Sequence, residues 1–215
     1  MKILMQHVDC LELIWCWFRI FNKMIYEALS CLVDEINEHF RIRLKVSEDK
    51  VSLSAIVNQD GTIAIQGENK ILLTLINIEK ETVGMNNSAI SGSSVGSNKS
   101  PVLTINLYVL FSAYFSNGNY PESLRFISFI IAFFQQKSAF SRVNTPRLDP
   151  EIDKLVFEMA SISPEQLNNV WGSLGAKYMP SVIYKVRMLT YNNNIIREIR
   201  PVVSGVESDN NIANS

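Results

Sequence analysis

Residues 102–115 read VLTINLYVLFSAYF, and this alternating stretch decides the fold of the chain. One face of the alternation is apolar: Leu103, Ile105, Leu107, Val109, Phe111, Ala113 and Phe115. The other is dominated by Thr104, Asn106, Tyr108, Ser112 and Tyr114. A period of two rich in β-branched and aromatic residues predicts a strand with one buried face. At about 3.3 Å per residue it would span roughly 45 Å, so we expect a bulge in this strand or an end that projects beyond the sheet.

The segment that follows predicts a helix. Residues 116–121 (SNGNYP) indicate a turn, and Pro121 suits the first helical position, where no amide donor is needed. Apolar residues then cover nearly the whole circumference of residues 122–137: Leu124, Phe126, Ile127, Phe129, Ile130, Ile131, Phe133 and Phe134. We expect this helix to be buried on most sides, either within the core alone or also against a neighbouring subunit. It is too short, and interrupted by Arg125, to be a membrane span.

Composition restricts the classes of function. A chain of 215 residues can bury a substantial core, and a net charge of −1 gives no basic field for nucleic acid. Cys10, Cys16 and Cys31 form no CxxC pair, which favours a reducing compartment over a disulfide framework. His7 and His39 leave little material for a histidine metal site or for histidine-based catalysis.

Residues 1–23 differ from the rest of the chain. Their crowded apolar residues are broken up by Asp9, Glu12 and Arg19, and no small-residue cleavage site follows. They could form a hydrophobic helix docked on the body, a weak membrane or export segment, or an extension upstream of a natural start at Met24. We favour the extension, because a clean amphipathic helix pattern over residues 24–40 begins directly at Met24. His39 would lie near the end of that helix, where a cation interacts well with the helix dipole.

The middle of the chain predicts short strands and a mobile loop. One or two short strands fall within residues 42–57, a turn at residues 58–61, and a strand at residues 71–81. The apolar phase of the last strand changes between Leu75 and Ile76, which indicates two covered faces at first and then one. Residues 84–100 are rich in Asn, Ser and Gly and are expected to be poorly ordered. Ser94 lies in a GxSxG pattern without a preceding strand, a following helix or a downstream histidine, so we expect no catalysis there.

The last third predicts a strand, a helix and a strand. A polar connection at residues 138–149 precedes a strand candidate at 155–161. Ser163, Pro164 and Gln166 form a strong helix start, and Gly175 should end that helix. A core strand follows at residues 182–191, and then an edge strand or arm at 195–203 and a polar tail. The order predicts a single α+β domain, with a mixed β-sheet covered largely on one face by about three helices.

Two sequence blocks carry a resemblance to a known family. The first is MIYEAL at residues 24–29 with DEIN at 34–37, and the second is L-x3-W-x2-LG-x2-Y-x-PSV-x-Y-x-VR at 167–187. With the strand and helix between them, they resemble the tail-terminator, or cap, proteins of extracellular contractile injection systems, such as the antifeeding prophage and the Photorhabdus virulence cassettes. The resemblance covers roughly residues 24–203 and leaves residues 1–23 outside it.

The resemblance implies a structural role. Such proteins form a hexameric ring on the distal end of the tube and sheath and stop tail growth, without catalysis or a cofactor. The implied partners are five further copies and the sheath and inner-tube proteins, with no nucleic acid and no stable membrane insertion. Assembly would occur in the bacterial cytoplasm, before the protein becomes part of a released or cell-associated particle. The chain length matches the compact members, which lack an additional C-terminal domain. Alternatives are another tail, baseplate or connector component, a cytosolic effector adaptor or chaperone, and, least favoured, an enzyme.

The second block also has an interpretation from its residues. Trp171, Tyr178 and Tyr184 are expected to cluster under the last strand, with Gly175 ending the helix and Pro180 and Ser181 directing the chain into the strand. Arg187 alternates with Lys185 on the polar face and could pair with an acid of its own or of the next subunit. The candidate assembly arm carries four apolar residues: Ile195, Ile196, Ile199 and Val202.

Overall fold

The computed structural model describes residues 6–65, 67, 69–81 and 104–190, and for residues 6–23 and 117 it describes the backbone alone. The elements in chain order are α1 (Gln6–Leu44), β1 (Val51–Leu53), β2 (Lys70–Lys80), β3 (Thr104–Tyr114), a 3-10 turn (Asn117–Asn119), α2 (Tyr120–Gln136), β4 (Ala139–Ser141), β5 (Ile152–Met159), α3 (Pro164–Leu174) and β6 (Ser181–Thr190). The predicted loop at residues 84–100, with Ser94, and the predicted arm at 195–203 lie outside the described residues.

Six strands form one mixed sheet in the order β1-β2-β3-β6-β5-β4. β1 is parallel to β2, and every other neighbouring pair is antiparallel. The larger apolar cluster joins α1 and α2 to one face of the sheet, and a smaller cluster joins α3 to the other face. The predicted α+β class and mixed sheet are confirmed, with two of the three helices on the same face.

β3 is central, as its alternation predicts, but two details differ from expectation. Both of its faces are buried, since Leu110 and Ser112, on the face opposite α2, are fully inaccessible. The reason is that α3 covers this face, which the polar pattern alone does not reveal. The bulge lies in the partner strand β2 and not in β3 as expected: Leu75 pairs with Val109 and Asn77 with Tyr108, which leaves Ile76 as the extra residue of β2.

That bulge explains the phase change seen in the sequence of β2. Its first half is buried on both faces, whereas residues 77–80 are exposed. The expectation of two covered faces in the first half is therefore confirmed, whereas the one covered face expected after it is wrong, because residues 77–80 are exposed on both faces. Because Ile76 is the extra residue, Ile78 pairs with Leu107 on the same face as Leu75, so the apolar residues change phase in the sequence without changing face.

α1 is longer than the predicted helix at both ends. It runs for 39 residues from Gln6 without a break, so the expected helix start at Met24 is wrong. The predicted core face is confirmed, with Leu32, Ile36 and Phe40 buried. The helix continues to Leu44, which leaves His39 outside the last turn. The dipole interaction expected for His39 is therefore wrong: burial, and then the Arg43 charge, lower the pKa of its imidazole.

α2 is buried on one side rather than on most sides. Phe126, Ile130 and Phe134 pack into the core, whereas Leu124 is 44% exposed and Phe129 is 39% exposed. The difference arises because this single chain covers only the face of α2 that meets α1 and the sheet. Local bounds also differ: β4 lies in the predicted polar connection and buries Phe140, and β5 begins at Ile152.

Candidate assembly surfaces

The second sequence block forms α3 and the start of β6, and its local geometry follows from its residues. The Ser163 side chain accepts a hydrogen bond from the Gln166 amide, and the Gln166 side chain accepts one from the Ser163 amide. This capping box satisfies two amide donors that a helix start leaves unpaired. At the other end, Gly175 has a φ of 66°, a left-handed conformation that glycine adopts at low cost. The predicted start and stop of this helix are confirmed.

Trp171 anchors α3 on the sheet. Its side chain is 4% exposed and packs in the smaller apolar cluster with Leu110 and Ile183. Tyr178 meets Trp171 edge to face, with 5.9 Å between the ring centroids, while remaining 64% exposed. The Trp171–Tyr178 half of the predicted aromatic cluster is thus present.

Tyr184 does not join that cluster, so this part of the prediction is wrong. It lies on the opposite face of β6, where its ring centroid is 4.5 Å from that of Phe134 and 5.9 Å from that of Phe111. Burial raises the pKa of Tyr184 to about 12. The reason for the separation is the two-residue period of a strand: Ile183 faces α3, and its neighbour Tyr184 must face α2.

Pro180 and Ser181 lead the chain into β6 as expected. The Ala113 amide donates a 2.9 Å hydrogen bond to the Pro180 carbonyl, and Ser181 pairs with Ser112. Arg187, further along β6, pairs within its own chain. Its Nε lies 3.1 Å from Glu81 Oε2, and the Glu81 side chain is 7% exposed. Of the two alternatives for Arg187, the structure contains the intramolecular pair.

A groove of about 580 Å³ opens between α3 and the second half of β2. We call it the α3 groove; its lining includes Leu75, Ile76, Glu79, Tyr108, Asn169 and Ile183. Both walls are mixed: the sheet contributes apolar Ile76 and Ile183 together with polar Asn77 and Glu79, and α3 contributes apolar Val170 and Leu174 together with polar Asn169 and Ser173. Burial, and then a hydrogen bond to Glu79 and its charge, raise the pKa of the Tyr108 hydroxyl. Neither sequence block pointed to this groove, because its walls are far apart in the sequence.

Asn37 is a structural residue whose role the sequence did not reveal. Its side chain is buried and makes three hydrogen bonds to the backbone of Lys50 and Val51, at the start of β1. The available signal was a polar residue at a core-facing position of an amphipathic helix. Such a residue needs a partner, but the pattern does not say which one.

No candidate metal cluster occurs among the described residues, since none of the described His, Cys, Asp and Glu residues form a group of three or more that could hold a metal ion. Cys31 is a free, buried thiol, and burial together with the Glu35 charge raises its pKa. Within the described part of the chain, no helix is both long and apolar enough to cross a membrane.

Comparison with known proteins finds one family and a shared fold. The model of the family described as the Pvc16 N-terminal domain matches residues 27–205. No curated protein sequence matches the chain significantly. One similar solved structure is the sheath/tube terminator, in its extended state, of the PVC extracellular contractile injection system, with a TM-score of 0.50 and 14% identity. A second is the tube terminating cap of the anti-feeding prophage, AFP, with a TM-score of 0.52 and 15% identity.

These structural likenesses extend over most of this chain but not over the whole of the other proteins. The aligned part is 88% of this chain and 65% of the PVC terminator, and 86% of this chain and 60% of the AFP cap. The chain thus spans less than two thirds of the length of either neighbour. At these identities the likeness concerns the fold.

Proposed function

The chain belongs to the family of the Pvc16 N-terminal domain, and from that premise we propose that it terminates the tail of a contractile injection system. The observation that carries the proposal is the family match over residues 27–205, which includes every strand of the sheet. The two structural neighbours are described as a sheath/tube terminator and a tube terminating cap, which supports the same role. On this proposal the protein is structural rather than enzymatic.

The proposed active form is a hexameric ring on the end of the tube and sheath that is remote from the baseplate. Subunits in a ring meet through heterologous contacts that close. Such contacts need surface that a single chain does not cover, and the exposed side of α2 offers Leu124 and Phe129 for this purpose. The ring would assemble in the bacterial cytoplasm and then remain part of the particle.

Electron microscopy of particles that carry a labelled copy of this protein tests the proposal. We expect label at the end remote from the baseplate only, and tails of uncontrolled length, or none, when the gene is deleted. Label along the sheath or at the baseplate would instead identify another tail component. Normal, uniform tails in the deletion strain would exclude a terminating role.

A connector is the second candidate. It is favoured by the two differently covered faces of the sheet, one under α1 and α2 and the other only partly under α3. A connector must bind two unlike surfaces at once, whereas a terminator binds one and leaves the other free. Binding of purified sheath to one surface only would favour the terminator.

A further inference from the structure

Along the second half of β2, no described strand pairs with the outer edge. β1 pairs only with residues 71–73, and the last described hydrogen bond on that side is the 2.7 Å bond from Thr74 Oγ1 to the Ser54 carbonyl, beyond which Ile76 packs in the same apolar cluster as Ile56. β2 continues to Lys80 with β3 on its inner side alone. We call residues 75–80 the open edge of β2. An edge of this kind presents backbone donors and acceptors that can pair with another chain.

The α3 groove lies beside the open edge, so a strand added there would find pockets for its side chains. Leu75 and Ile76 belong to both features, whereas Ile78, which is 49% exposed, pairs with Leu107 on the opposite face of the edge. Glu79 brings a carboxylate to the groove. Backbone pairing along an edge combined with pockets for alternate side chains is the mode by which extended peptides are bound through strand addition.

The C-terminal segment of the chain has the composition that this site requires. Residues 195–203 read IIREIRPVV, and in an extended conformation Ile195, Arg197 and Ile199 share one face. Ile195 and Ile199 would place apolar side chains against the apolar residues of the groove, and Arg197 between them would place a cation beside the Glu79 carboxylate. Pro201, which lacks an amide donor, is compatible with a strand at the outer edge of a sheet.

The reach of the chain favours a neighbouring copy over the same copy. Thr190 lies at the same end of the sheet as Lys80, since Leu189 pairs with Thr104 and Lys80 with Ile105. Crossing from β6 past β3 and β2 to a new edge strand takes three strand spacings, or about 14 Å. Five residues beyond Thr190 reach about 17 Å when fully extended, which leaves almost no chain to reverse direction.

We propose that the open edge of β2 and the α3 groove accept residues 195–203 of a second copy of this chain, with Arg197 of that copy facing Glu79. The donor of one copy fills the acceptor of the next, which gives a head-to-tail contact that closes into a ring. This inference deepens the proposed function and rests on it for the ring, but the contact itself can be measured without tails.

Charge exchange in the full-length chain tests the contact. Sedimentation equilibrium over a range of protein concentrations should show that Glu79→Arg and Arg197→Glu each weaken self-association by about tenfold or more, and that the double variant recovers it. Arg200→Glu is the matched control, because it makes the same charge change on the alternate face of the segment. Mixing the two single variants should restore pairwise association, since one supplies an intact donor and the other an intact acceptor.

Four outcomes would overturn the inference. Three of them are unchanged association in both single variants, an equal effect of Arg197→Glu and Arg200→Glu, and a full-length protein that stays monomeric at every concentration. Unchanged mass distributions together with a concentration-independent effect on stability would place the segment on its own copy, against the proposal. None of these results bears on where labelled protein sits on a tail, so failure of this contact is distinguishable from failure of the proposed function.

Discussion

At the scale of single residues, Asn37 connects the three-residue edge strand β1 to α1. Its Nδ2 donates to the Val51 carbonyl at 2.9 Å, and its Oδ1 accepts from the amides of Val51, at 2.9 Å, and Lys50, at 3.1 Å. β1 has three residues and pairs on one side only, so it depends on such a contact more than the longer strands do. Both polar ends of the buried amide are satisfied, which is the condition for placing an amide in a core.

We predict that Asn37→Ala lowers the free energy of unfolding by about 2–3 kcal/mol, because it leaves buried backbone groups without partners. Urea denaturation followed by circular dichroism measures the change. Asn77→Ala is the control, since Asn77 is exposed and its described hydrogen bond goes only to Glu79; it should change stability by no more than about 0.5 kcal/mol. Equal effects of the two variants would contradict the role given to Asn37.

His39 should make stability depend on pH. Burial first, and then Arg43, lower the pKa of its imidazole below the usual 6.5, so the folded protein binds this proton less readily than the unfolded chain does. The contribution is complete above pH 6.5 and is lost as the pH falls from there through the lowered pKa of the folded state. Between pH 7.5 and 5.5, His39→Gln should therefore lose less stability than the unmodified protein, as measured by urea midpoints. Parallel pH profiles would show that His39 titrates alike in both states.

At the scale of elements, α1 and α2 together form the layer over one face of the sheet. The rings of Phe40 and Phe126 meet edge to face at 5.8 Å between the two helices, and the Lys137 ammonium group lies 2.7 Å from the Glu35 carboxylate. Along the described side chains of α1, Met24 is 6% exposed, and Leu32, Ile36 and Phe40 are buried as well.

Deletion of residues 1–23 should leave a domain that melts cooperatively within a few degrees of the full chain. The measurement is thermal denaturation followed by circular dichroism at 222 nm. A deletion extended through Leu32 is the comparison; it removes Ala28 and Leu29 from the core as well and should abolish cooperative melting. Loss of the cooperative transition in the shorter deletion would mean that residues 1–23 contribute to the core.

Leu124→Lys should disrupt self-association while leaving the single domain stable. Leu124 is 44% exposed on α2, so a charge there costs little within one chain but would be buried and unpaired in a subunit contact. Light scattering after size exclusion gives the mass, and Gln136→Lys adds the same charge at another exposed position of α2. A hexamer of unchanged mass in Leu124→Lys would remove this side of α2 from the proposed ring contacts.

At the scale of the whole molecule, the sheet presents one end at which several chain segments meet. The ends of β2 and β6 and the start of β3 lie there, since Lys80 pairs with Ile105, and Thr104 with Leu189. Residues 82–103 and 191–215 are therefore attached at the same end. The Arg187–Glu81 ion pair also lies there and joins β6 to the residue that follows β2.

Cutting the chain after Asn194 should leave a folded domain that fails to cap tubes. The six strands and three helices of the described residues end before this position, so the cooperative melt should persist. Loss of the proposed arm would give tubes of uncontrolled length or none, as measured from electron micrographs of tails. Removal of residues 205–215 alone is the control and should leave tail length unchanged. Tubes of normal length from the larger truncation would exclude an arm at residues 195–203.

The sequence by itself determined the α+β class, the position of β3 and the limits of α3. These features depend on residues close together in the chain: the alternation in β3, the Ser163–Gln166 capping box and the left-handed Gly175. The phase change in β2 likewise carried information, since it marked the strand in which the bulge lies. Periods of two residues and helix caps are local in origin, and a single sequence can therefore reveal them.

Only the tertiary structure decided which distant groups meet. It placed Tyr184 and Trp171 on opposite faces, buried both faces of β3, paired Arg187 with Glu81 and brought the open edge of β2 beside α3. These facts follow from the strand order β1-β2-β3-β6-β5-β4, which places β6, the last strand in the sequence, beside β3 in the middle of the sheet. Strand order is set by the packing of the complete core, so no local pattern encodes the partners that it creates.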